Sequence, residues 1–143
     1  MVCTFFGHKD APSSIAPVLL KALVDLIENK GINMFYVGNQ GRFDSMVRRI
    51  LKNLKVKYPH IDYAVVLAYM PKKDGENYSD TILPDGFENV HPKYAIDKRN
   101  RWMINKSDVV VTYVVLSFGG AAKFKEIAKN RGKKIINIYE CEI

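Results

Sequence analysis

Several residues of this chain are of the types, and at the spacings, that could bind a phosphorylated group. Gly119-Gly120 follows an apolar run and opens a helix-like segment, so it would bare backbone N–H groups at a helix end that carries partial positive charge. Gly7, Gly38 and Gly41 each sit in a turn that follows another apolar run. Near these turns stand His8, Asn39 and Asp44, and a basic segment carries Arg99 and Asn100. His8 would donate to a phosphate or exchange a proton near neutral pH, or else form a polar surface turn with Lys9 and Asp10. Arg99 and Glu126 flank the Gly119-Gly120 junction in sequence, and Arg99 points either to solvent or toward a ligand.

Such groups act together only if regular elements bring their turns to one place. Val2 to Phe6, Asn33 to Val37, Tyr63 to Tyr69, Val109 to Val115 and Lys134 to Tyr139 read as apolar strands. Between them, Ile15, Val18, Leu19, Ala22, Leu23, Leu26 and Ile27 keep helical rhythm, as do Phe43, Met46, Val47, Ile50, Leu51 and Leu54. Further helices are expected from about Tyr94 to Asn105 and from Gly120 to Asn130. Strands alternating with helices predict an α/β fold, a Rossmann-like three-layer α/β/α sandwich over residues 1–143. Its mainly parallel five-stranded sheet has order 3-2-1-4-5. In that order every glycine-bearing turn named above lies at the carboxyl edge, where such sheets bind ligands. Pro71 to Pro92 is the one long irregular segment and reads as a lid or a partner-binding excursion.

Composition narrows the classes. A chain of 143 residues with 48% hydrophobic and 26% charged residues is expected to be one ordinary globular domain. No apolar run approaches the roughly 18 to 20 residues of a membrane span, and no signal-peptide pattern opens the chain, so a cytoplasmic protein without a membrane partner is expected. Cys3 and Cys141 lack metal-ligand or redox spacing, and no metal or cofactor is called for. Walker A, GxGxxG, GxSxG and HExxH patterns are absent. The net charge of +7 suits a phosphorylated small molecule or nucleic acid. The segment Lys98 to Lys106, with Trp102 among its cations, also suits RNA. Homo-oligomerisation is left open.

The segment Arg99 to Asp108, the strand after it and Gly119-Gly120-Ala121-Ala122-Lys123-Phe124-Lys125-Glu126 together resemble the arginine-helix and GGxGTxxE arrangement of the Lonely Guy phosphoribohydrolases. With Gly7-His8, Phe35 to Asp44 and Val66 to Pro71, the chain resembles more closely the short YpsA-like members of the SLOG superfamily, and more distantly the DprA Rossmann-like domain. The resemblance implies a Rossmann-like fold that binds a nucleotide or nucleotide-derived ligand, as a sensor or regulatory protein. The binding set it supports is Gly7, His8, Gly38, Asn39, Gly41, Asp44, Arg99, Asn100, Gly119 and Gly120. It implies, as an alternative, a nucleoside 5′-monophosphate N-glycosidase in which Arg99 and Glu126 are catalytic. Ala122 and Lys123 replace the Gly-Thr pair of the motif, and Lys123 would bring charge to a phosphate.

Overall fold

The computed structural model describes residues 1–70 and 79–141. Its elements are β1 (Val2–Gly7), α1 (Ala16–Asn29), β2 (Met34–Val37), α2 (Gly41–Lys57), β3 (Asp62–Val66) and β4 (Thr81–Ile82). They continue with α3 (Pro92–Lys106), β5 (Val109–Tyr113), α4 (Gly120–Asn130) and β6 (Lys134–Asn137). The six strands form one parallel sheet in the order β4-β3-β2-β1-β5-β6. The architecture is therefore the expected α/β sandwich, and the five strands read from the sequence pair in the expected order. The sheet gains a sixth strand, β4, from within the excursion read as irregular. Two residues are too short to leave an apolar pattern. Residues 71–78 of that excursion lie outside the described residues, and so does that part of the lid it was expected to form.

Strand alternation sends neighbouring residues to opposite faces. Phe5, Phe35, Val65 and Val111 pack under α1 and α2 with Leu19, Leu23, Val47 and Leu51. Phe6, Val66 and Val110 pack on the other face under α3 and α4 with Met103, Ile104, Phe124 and Ala128. Trp102 is half-buried and packs against this second cluster, edge-on to Tyr36 with ring centroids 5.0 Å apart.

Three strands stop sooner than their apolar runs. Leu67 and Ala68 are buried beyond the end of β3: Leu67 N–H still donates to Ile82 O of β4 at 2.8 Å, whereas Ala68 lies in a bend and is held by packing. Past Tyr113 the chain leaves the sheet, and Asn137 takes over the pairing. Its Oδ1 accepts from Val114 N–H at 2.9 Å and from Thr112 Oγ1 at 3.2 Å, while its Nδ2 donates to Val114 O at 3.0 Å. Ile138–Glu140 then forms a 3₁₀ turn in place of the end of the expected final strand.

Candidate functional site

The topology reverses between β1 and β5, both neighbours of the central crossover, and a cavity of about 410 Å³ opens at their carboxyl ends. Gly7, His8, Asp44, Arg99, Asn100 and Gly120 all line it. Arg99 is its centre. Position 99 lies one helical turn before Met103, on the inward face of α3, so a guanidinium occupies a place where the helix otherwise buries apolar groups. Arg99 is 2% exposed. Its Nη1 donates to Val66 O at 3.0 Å and to Asn39 Oδ1 at 3.1 Å, and its Nε donates to Asn100 Oδ1 at 2.7 Å. These bonds leave Nη2 without a protein acceptor, and no fully buried side-chain nitrogen among the described residues is unsatisfied, so Nη2 of this cavity-lining arginine keeps some exposure.

No carboxylate forms an ion pair with this arginine among the described residues. The nearest compensation is Asp44, 8% exposed in the first turn of α2, whose Oδ2 accepts from Gln40 N–H at 3.0 Å. Burial pushes the Asp44 pKa up to about 6, opposed by the Gln40 bond and by the Arg99 charge. Burial likewise pulls the Arg99 pKa down, opposed by Asp44 and Tyr69. Gly38 makes this pairing of groups possible, because a Cβ there would lie 2.8 Å from Asp44 Oδ2 and 3.1 Å from Arg99 Cζ.

The remaining glycines divide by role. A Cβ on Gly7 would fall 2.2 Å from the Phe43 ring, so this glycine lets α2 close on β1. Gly41 has φ +89°, and a Cβ there would meet Lys9 Cα at 2.6 Å. Arg42 N–H donates to Lys9 O at 2.8 Å beside it, so the turns after β1 and β2 lie against each other. Gly119 and Gly120 differ. Nothing lies within 4 Å of a Cβ at either, and Gly119, at φ +96°, leads into the bare N-terminus of α4. Backbone N–H groups at a helix start facing a cavity that holds an unpaired guanidinium are what an anion requires.

His8 has a defined task. Its Nε2 accepts from Val115 N–H at 2.9 Å and from Leu116 N–H at 3.4 Å, which places its proton on Nδ1 and ties the turn after β1 to the loop after β5. Lys123 is occupied as well, donating to Asp97 at 3.0 Å and linking α4 to α3, away from the role of phosphate cation.

Glu126 does not join this group. It is exposed and lines a separate cavity with Val114, Lys125 and Tyr139 on the far side of α4. Arg99 and Glu126 are thus not brought together. The helical period explains the separation: Glu126 lies two residues from the inward Phe124, about 200° around the helix. Lys9, Gln40 and Phe124 also line the Arg99 cavity and were not singled out as ligand groups, although Lys9 adjoins His8 in the same turn. No protein-family model matches the chain, and no curated protein matches it significantly.

Proposed function

We propose that the chain binds a nucleotide or nucleotide-derived phosphorylated ligand, as a sensor or regulatory protein, in the cavity around Arg99. One observation carries this reading: an arginine 2% exposed, with one terminal nitrogen unpartnered and no ion-paired carboxylate, lines the same cavity as the bare start of α4. A buried charge lacking a partner is costly, and an anionic group on the ligand would supply the partner. The apolar side chains of Phe6, Met103 and Phe124 in the same cavity offer a surface for a ring. Membership of the SLOG superfamily, as a short YpsA-like chain, belongs to the same proposal and rests on the motifs set out above. Hydrolysis by an Arg99 and Glu126 pair gains no support from their placement in separate cavities.

The test is thermal stabilisation and calorimetric binding with a panel of nucleoside mono- and diphosphates. Ligand at about a hundred times its Kd would stabilise the fold by about 2.7 kcal/mol. Gly120→Asp adds a carboxylate at an open position, and should abolish both signals while leaving the unliganded Tm nearly unchanged. Binding that survives Gly120→Asp would refute the placement of the anion.

A further inference from the structure

A basic groove adjoins the Arg99 cavity, with Lys9 between the two. This groove of about 550 Å³ is lined by Lys9, Ser13, Arg42, Ser45 and Arg49, and no carboxylate lines it among the described residues. Arg48, Arg99, Arg101 and Arg131 each donate to a protein oxygen. Arg42 and Arg49 do not, and neither does the Lys9 ammonium. Two unpaired arginines in one concavity are a stronger signal than scattered lysines, because the guanidinium fork matches phosphate oxygens. The line also continues beyond the groove. Arg42, Ser45, Arg49 and Lys52 are all exposed, fall within about 80° of arc on α2, and span about 15 Å of its axis.

The geometry points to a polynucleotide backbone as the ligand of this groove and stripe. A lone phosphate would engage the groove and leave Lys52 unused, whereas a nucleic-acid strand carries a charge every few ångströms and would occupy the whole line. The basic helix that the sequence offered for RNA, α3, is spent internally. Arg99 is buried, Arg101 pairs with Asp97, Lys98 donates to Gly86 O, and Lys106 lies over the Trp102 ring. The groove shares Lys9 with the Arg99 cavity, but Arg42, Arg49 and Lys52 belong to the α2 site alone.

Fluorescence anisotropy of a labelled single-stranded oligonucleotide against the whole chain tests it. Four engaged cations predict a loss of affinity of about fifty-fold between about 50 and 200 mM salt, with a logarithmic slope near −2.8. The triple variant Arg42→Ala, Arg49→Ala and Lys52→Ala should weaken binding at low salt and leave a slope of about −0.7, so that the same salt change costs only about two- to three-fold. A control triple variant on other elements, Lys106→Ala, Lys129→Ala and Lys134→Ala, should bind as the parent does, and so should Gly120→Asp. The inference fails if the control variant loses as much affinity as the α2 variant, or if the α2 variant keeps the parent slope. It also fails if inorganic pyrophosphate displaces the oligonucleotide at concentrations equal to its own in phosphate groups, since the groove would then prefer a small anion.

Discussion

Gly7 and Gly120 are both glycines at the carboxyl edge, yet their surroundings ask opposite things of them. Gly7→Ala would drive a methyl group into the Phe43 ring, and overpacking of this kind costs about 2–3 kcal/mol, read as a lowered denaturation midpoint. Gly120→Ala meets open space, so its unliganded stability should stay within about 0.5 kcal/mol of the parent. Asp44 makes a prediction in pH. Its folded-state pKa, raised from 3.8 to about 6, means that the folded protein holds a proton the unfolded chain has released. The ionised carboxylate therefore destabilises the fold above about pH 6, and that penalty shrinks as pH falls toward 4. Asp44→Asn should raise stability by about 2–3 kcal/mol at pH 7.5 and by much less at pH 4, as measured by urea unfolding at the two pH values. An equal gain at both would assign the effect to packing.

Among the elements, the junction between the turn after β1 and the loop after β5 hangs on one imidazole. His8→Ala removes the acceptor for two N–H groups, each bond contributing about 1 kcal/mol. Hydrogen exchange at Val115 and Leu116 should then quicken by about five-fold or more, with the strand amides of β5 unaffected. Phosphate-ligand affinity should fall too, because the same loop leads into Gly119. At this scale the sequence was readable wherever period and burial agree: α1 and α2 announce themselves by their apolar stripes. It was less readable where burial exists without pairing, as at Ala68, and where pairing exists without a run, as at Thr81–Ile82. Glu126 shows a third limit, since nearness in a motif does not tell which side of a helix a carboxylate takes.

For the whole molecule, the parallel sheet followed from alternation because continuous apolar runs must be covered on both faces, and the order 3-2-1-4-5 was the doubly wound arrangement assumed for it, which the strands adopt. Arg99 was legible only as a candidate ligand group, pointing to solvent or to the crevice; its burial, its Val66 and Asn39 acceptors and its lack of an ion pair come only from the packed fold. The sheet's far edge depends on one amide spanning β5 and β6. Asn137→Leu would strand Val114 N–H and C=O in a buried place, and about 3 kcal/mol of stability should be lost, with an unchanged urea m-value. Trp102, meanwhile, is the one tryptophan of the chain, set edge-on to Tyr36 and one residue before Met103 on the helix that carries Arg99. Every photon of indole emission from this protein originates on α3, so the molecule needs no added dye for the behaviour of that helix to be followed optically.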